Sequence, residues 1–428
     1  MMKKMKIFIG FDEIAGYNAN LQQGFNDLGY ECCFFNESIH PFGYQGKQPI
    51  PSEKILQFLN DRYDRNCTSF RNCPVLLLIG IIHSMILLYS IVKFDVFIFS
   101  YGKSFLMGYD LPLLKLLHKK IIFVFMGSDS RPPYFDGCVM GSGKETSIEQ
   151  CVDLSVKMKR RIKTIEKYAH ILIDNPAAGH FHEKRFIQGL IMGIPFAISD
   201  FSVQNEICLN PCVIRLLHSP SDPIAKGTGL IRSVVSRLAL DGFSISYREI
   251  INQPHDRILM ELVESDLIID QCYSDTPMAM LATEAAWFGK PTLVGGYYST
   301  LIRKDTPGEF IPPTHFCRPE ELYQSLRLLI QDEEYRLYLG RKAKKYVDTR
   351  LNPREVANRY IMLIHDNIPD DWYFDPKNIS YLGGSGMEES RVKDIIRSII
   401  QKFGISALQL SDKPLLERKI VEFALCKD

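Results

Sequence analysis

A chain of 428 residues is too long for one ordinary hydrophobic core and suits two domains of about 200 residues each. Hydrophobic residues make up 46% and charged residues 24%, the balance of a folded protein. With 51 Lys+Arg against 50 Asp+Glu, the formal net charge is +1, which excludes the basic footprint of a dedicated nucleic-acid binder.

The N-terminal Met1-Met2-Lys3-Lys4-Met5-Lys6 leads directly into Ile7–Phe11, a strand pattern rather than a secretory apolar run. The eleven cysteines are scattered without any Cys-x-x-Cys pair, so no zinc site is expected and reduced thiols in the cytoplasm are the simplest reading. A helix is predicted over Asn18–Leu28, stopped at Gly29. Val75–Val92 carries no formal charge over eighteen residues and would measure about 27 Å as a helix. It reads as a membrane span, a buried crossover helix, or a helix dipping into one leaflet beside Arg62, Arg65 and Arg71. A span would put strands of one sheet on opposite sides of a bilayer, so at most a peripheral contact is expected.

Strands follow at Val96–Ser100, Ile121–Phe125 and His170–Ile173, alternating with helices at Leu111–Leu117 and Cys151–Ala169. The last of these helices carries Leu154, Met158, Ile165 and Tyr168 as a core stripe. Opposite lie Lys157, Lys159, Arg160, Arg161, Lys163 and Lys167, read as a solvated face or a surface for anionic lipid. Gly141-Ser142-Gly143-Lys144-Glu145 lacks the spacing of a phosphate loop and is rejected as one. Between about Ala197 and Pro211 the periodicity lapses.

A second round begins near Cys212. Strands are expected at Val213–Leu217, Ser244–Ile250, Leu267–Ile269 and Pro291–Val294, with helices at Gly229–Leu240, Asp256–Val263, Met278–Trp287 and Pro319–Gln331. The chain is thus an α/β protein of two doubly wound, Rossmann-like parallel-sheet domains facing a central cleft: 1–203, then 204–365 closed by Val356–His365. Residues 366–428 form a helical C-terminal extension, in which Gly383-Gly384-Ser385-Gly386 reads as a flexible loop.

Two places carry chemistry. Lys226 and Gly227, at the start of a helix after a strand, make an anion site from free amides, the helix dipole and an ammonium; the plainer reading is a solvated loop lysine. Glu284 sits early in a helix, where it either compensates the dipole or accepts the two hydroxyls of a ribose.

The run His218-Ser219-Pro220-Ser221-Asp222-Pro223-Ile224-Ala225-Lys226-Gly227-Thr228, the Ser265–Gln271 segment and Thr283–Gly296 together resemble the donor half of retaining GT-B glycosyltransferases of family 4. Phe94–Leu106, Asp110–Arg131 and Ala169–Pro176 are similar to its acceptor half. The resemblance implies transfer of a sugar from a nucleotide-diphosphate-sugar donor to a glycan or lipid-linked acceptor, in polysaccharide or glycolipid assembly. It implies no cofactor and no metal. It places Lys226 on the donor diphosphate, with the amides of Gly227 and Thr228 as further donors, and Glu284 on the ribose. Pro254 and His255 fall where the base is contacted, and Gly16 and Tyr17 in the loop that approaches the donor phosphates. Asp129 and Arg131 lie at the mouth of the cleft as catalytic candidates. The pattern departs at Thr276, where the family carries a glutamate, with Asp275 beside it. That departure keeps two alternatives open: a nucleotide-sugar epimerase on the same scaffold, and a catalytically silent partner subunit.

Overall fold

A computed structural model describes residues 4–37, 51–62, 73–198 and 213–426. Two parallel sheets organise it. The first contains β1 (Ile7–Phe11), β2 (Cys32–Asn36), β3 (Val96–Ser100), β4 (Lys120–Val124), β5 (Ile171–Asp174) and β6 (Phe186–Gln188), all parallel, in the order β6-β5-β4-β3-β1-β2. The second contains β7 (Ile214–His218), β8 (Ile245–Glu249), β9 (Leu267–Ile269), β10 (Thr292–Gly295) and β11 (His315–Cys317), in the order β11-β10-β9-β7-β8. The winding reverses between β1 and β3 in the first sheet and between β7 and β9 in the second, which sets the crevices at those strand ends.

Alternation of side chains decides how the first sheet is covered. Phe8, Phe97, Phe99 and Phe123 point to one face, where they pack with the helices Cys73–Lys93, Ile148–Tyr168, Glu389–Phe403 and Pro414–Leu425. Ile7, Ile9, Val96, Ile98, Ile122 and Val124 point to the other, against Tyr17–Asp27 and Pro353–Ile364. The last helix corrects the expected division of the chain. Instead of closing the second unit it lies on the first, where the Tyr360 and Tyr17 hydroxyls meet at 2.7 Å. The extension then adds β12 (Tyr373–Phe374) antiparallel to β6, at the edge of the first sheet. The expected boundary at 203/204 lies outside the described residues.

The apolar Cys73–Lys93 segment is a crossover helix between β2 and β3, but not a buried one. It is the single helix among the described residues long and apolar enough to cross a membrane, and only 17% of its apolar window is buried. His83 pins it to the first unit, meeting the Phe105 carbonyl at 2.6 Å and the Glu37 carboxylate at 3.1 Å. Leu76, Leu77, Ile81, Met85, Leu88 and Val92 remain exposed. Arg65 and Arg71 lie outside the described residues, as does the side chain of Arg62. In the basic helix, Leu154 is exposed rather than part of the core stripe. Three of its cations are engaged within the molecule: Lys159 with Asp412 at 2.8 Å, Arg161 with the Asp129 carbonyl at 2.5 Å, and Lys163 with Glu183 at 3.5 Å.

At the end of β5, His182 is fully buried between Glu166 and Asp174, 2.9 Å from each. Burial alone would lower its pKa, but the two carboxylates overcome this and hold it up at about 9. A histidine raised on folding contributes stability that is complete below its ordinary value and lost as pH rises through the folded one. Thermal stability should therefore fall between pH 6.5 and about 9. His182→Gln, which leaves two buried carboxylates uncompensated, should cost about 3–5 kcal/mol at neutral pH and flatten that decline. Melting temperatures across the pH series check both.

Candidate active site at the facing strand ends

The turn from β7 into the helix Thr228–Leu240 is shaped by Asp222. Its carboxylate accepts the amides of Ile224 and Ala225 at 3.0 and 3.1 Å, and its carbonyl accepts that of Lys226 at 2.9 Å. The amides of Gly227 and Thr228 donate to Ile224 and Pro223 at 3.0 and 2.9 Å. This corrects the expectation that those two amides hold the diphosphate, because the turn already uses them. The helix ladder starts with Ile231 donating to Gly227 at 3.1 Å, so Gly229 and Leu230 carry the first-turn amides beyond the turn's own bonds. A Cβ on Gly229 would meet nothing within 4 Å, so open space lies over that helix start.

Lys226 is half-buried, and its ammonium donates to the Gln271 side chain at 2.6 Å. Next to Gln271, Asp270 is buried with Oδ2 unpartnered. Burial raises the Asp270 carboxyl, against the attraction of Lys226 and His218, while Glu284 pushes it further up. His218 is fixed between the Ile269 carbonyl at 2.8 Å and the Thr228 hydroxyl at 2.9 Å, and burial keeps it below its ordinary pKa. It braces the turn.

Glu284, on the helix Met280–Trp287, is buried and meets His255 Nε2 at 2.7 Å. His255 opens the helix His255–Glu264 immediately after the exposed Pro254. Burial would lower the His255 pKa, but the bond to Glu284 reverses this and raises it. Sequence spacing of 29 residues separates the two partners, so only the fold joins the expected base loop to the expected ribose carboxylate.

On the first unit, Gly16 has a left-handed φ of 81° and caps the helix Tyr17–Asp27. The amides that this helix start would offer a phosphate are occupied: Glu13 accepts from Asn18 and Ala19 at 3.2 and 2.9 Å. Tyr17 is buried in the core with its hydroxyl on Tyr360, which makes it a packing residue. Asp129 is buried at the turn after β4, with Oδ1 accepting the Met126 amide at 2.7 Å and Oδ2 unpartnered. Burial, with Asp174 close by, pushes its carboxyl up to about 7. Arg131 crosses the cleft and pairs with Asp136 of its own unit at 3.2 Å and with Asp275 of the second.

The site therefore gathers Lys226, Gln271, Asp270, Glu284 and His255 at the β7 and β9 ends, with Asp129 and Arg131 contributed by the first unit. Sequence reasoning missed Glu13, Asp270 and Gln271. The two last stand immediately after the apolar strand Leu267–Ile269, at a strand end where ligands of such sheets bind, which was the available signal. Gly227→Ala should destabilise the second unit by about 1–2 kcal/mol for the left-handed backbone alone. Its φ is 71° and a Cβ would lie 2.7 Å from that of Cys272. Denaturant unfolding of the variant measures the loss.

No protein-family model matches the sequence, and neither does any curated protein sequence. Solved structures do. Anabaena HepE in complex with UDP-glucose is 11% identical, covering 85% of this chain and 100% of its own, with a TM-score of 0.50. The glycosyltransferase SnogD from Streptomyces nogalater is 12% identical over 84% of this chain and 100% of its own, at 0.40. The UDP-GlcNAc 2-epimerase from Neisseria meningitidis bound to UDP-GlcNAc is 11% identical over 85% and 100%, also at 0.40. The likeness to HepE is one of fold: this chain has the GT-B fold, and it carries two parallel-sheet units and a helical C-terminal extension.

Proposed function

We propose that the chain is a glycosyltransferase that moves a sugar from a nucleotide-diphosphate-sugar donor to an acceptor. The observation that carries this reading is the cluster at the second sheet's switch point. A lysine and the open helix start at Gly229 suit a diphosphate, and the buried Glu284 on the helix that follows β9 suits a ribose. The HepE structure, which contains UDP-glucose, makes a uridine donor the first to test.

Departure of the nucleoside diphosphate leaves negative charge on a phosphate oxygen, and preorganised donors aimed there are the largest catalytic contribution. Lys226 and the first-turn amides of Gly229 and Leu230 fill that role. Asp129 enters from the acceptor side with a carboxyl near neutrality, suited to handling the acceptor's proton. Transfer with retention and without a metal follows from the family 4 resemblance.

A lipid-linked acceptor, in polysaccharide or glycolipid assembly, fits the first unit's outer surface. The exposed side chains of Cys73–Lys93, with Leu113 and Leu116 of the helix Leu111–Leu116 and Leu117 just beyond it, supply apolar surface. The exposed Lys157, Arg160 and Lys167 extend it with positive charge, and all three helices are backed by the same core. Such a surface suits peripheral contact with an anionic leaflet. Seven of the described cysteines are free thiols, in keeping with work on the cytoplasmic side.

A donor screen scored by nucleoside diphosphate release and by a new glycosidic bond separates transfer from epimerisation. Lys226→Ala should weaken donor binding by about 10- to 100-fold, the loss of about 1.5–3 kcal/mol for a charged contact, with the fold intact. Gly229→Ala should gain up to about 1 kcal/mol in helix stability while losing donor affinity, because its methyl fills the open space. Undiminished binding in both variants would rule the site out. Activity should persist in excess chelator. Flotation with anionic vesicles should weaken at high salt, which screens the charged part of the contact.

A further inference from the structure

The helices His255–Glu264 and Met280–Trp287 are joined near their starts by one polar bond, from His255 Nε2 to Glu284 Oε1 at 2.7 Å. The partners are unequally placed. The Glu284 side chain is 3% exposed and that of His255 20%, so the imidazole is the outer member of the pair. Glu284 is held among the buried Ala282, Thr283, Ala285 and Ala286 of its own helix. His255 stands where the exposed run Asn252-Gln253-Pro254 enters a helix. As the first helical residue it has no preceding turn to restrict its rotamers, so the ring can swing about its own side-chain bonds with the backbone unchanged. A ribose presents two vicinal hydroxyls, and it reaches a carboxylate this enclosed only after the group covering it has moved.

Charge acts on the same bond. Among the eight residues Met280–Trp287, Glu284 is the single charged one. On the histidine's own helix Asp256 follows it, while Arg257 is turned to Glu261. From β7, which that helix also packs on, Arg215 is paired with Asp266. His218, at the end of β7, is bonded to the Ile269 carbonyl and the Thr228 hydroxyl. Asp270, buried in the same site, is pushed up by Glu284 and drawn down by Lys226 and His218. Burial lowers the His255 pKa, and the bond to Glu284, with the charges of Glu284 and Asp256, more than reverses this.

Resting on the nucleotide-sugar reading, we propose that His255 is a pH-sensitive cap on the ribose site: without donor it occupies Glu284, and the ribose hydroxyls displace it. The role is distinct from the base contact that the family resemblance implies for this loop. The cap is tightest when the imidazole is protonated, because the bond then joins opposite charges. Displacement takes the imidazole off Glu284 and returns it toward its ordinary value of 6.5, so the proton passes to the buffer. Donor affinity is therefore lowest below that value, rises with pH through the raised one, and levels off above it.

The test uses the full chain and UDP-glucose, whose diphosphate has no ionisation near neutrality. Calorimetry runs between about pH 6 and 8.5 in buffers of different ionisation enthalpy. Wild type should release a fraction of a proton per UDP-glucose bound, and its affinity should rise by about three- to tenfold over that range. His255→Gln still bonds Glu284 but carries no charge; folded by circular dichroism and melting, it should show neither effect. The imidazole resonance missing from the His255→Gln proton spectrum gives a second readout on wild type, and its titration should move down when UDP-glucose saturates the protein. Binding without proton release in wild type, equal release in the variant, or a titration unmoved by ligand would overturn the cap while leaving the donor site standing. Failure of both proteins to bind UDP-glucose at any pH would overturn the donor-site reading, and the cap with it.

Discussion

The helix Pro353–Ile364 lies against the helix Tyr17–Asp27, with the Tyr17 and Tyr360 hydroxyls bonded inside an apolar core. That contact returns the chain to the first unit after the second is complete. Two hydroxyls bonded to each other need no water, and burial holds the Tyr17 phenol up at about 12, so the pair stays neutral and dry. Everything beyond residue 353 depends on this docking. The added strand at the sheet edge follows from it, as do the two C-terminal helices over the phenylalanine face. So does the glycine run at 383–386, expected to be a flexible loop, which is a packed strap whose Ser385 hydroxyl reaches Asp275 at 3.3 Å.

The two switch points do different jobs with similar topology. At the second sheet the turn is arranged to leave a helix start open, with a lysine at its rim and a glycine where any side chain would intrude. At the first sheet the corresponding helix start is filled by the protein's own carboxylate, Glu13. A donor diphosphate is therefore suited to one side of the cleft only. On the proposed reading, the first unit is left to supply Asp129 and the acceptor surface. The asymmetry comes from which carboxylates are spent internally.

Buried charge recurs as the means of joining elements. His182 joins Glu166 to Asp174 at the end of β5, and Arg131 joins Asp136 to Asp275 across the units. Such pairs add little net stability over apolar packing but are expensive to break singly, so they fix geometry rather than strengthen the core. In both places the geometry fixed is that of a strand end facing the cleft.

Strand and helix periodicity made four strands of each sheet legible from the sequence, because runs such as Val96–Ser100 and Ile121–Phe125 are buried on both faces and read as continuous apolar segments, whereas Cys32–Asn36, Phe186–Gln188 and His315–Cys317 went unread. The lysine-glycine helix start at Lys226 and the acidic helix position at Glu284 were legible too, since each is a local arrangement of a few consecutive residues. What the sequence could not decide was which groups are already used. The Gly227 and Thr228 amides are consumed by Asp222 and its turn, and Tyr17 by Tyr360, 343 residues away. The glycine strap at 383–386 is fixed by Phe135, Gly137 and Tyr273. Local sequence determines the backbone conformation and the apolar face of each element, because those depend on neighbours in the chain. The partner of a polar group depends on neighbours in space, and only the tertiary structure chooses them.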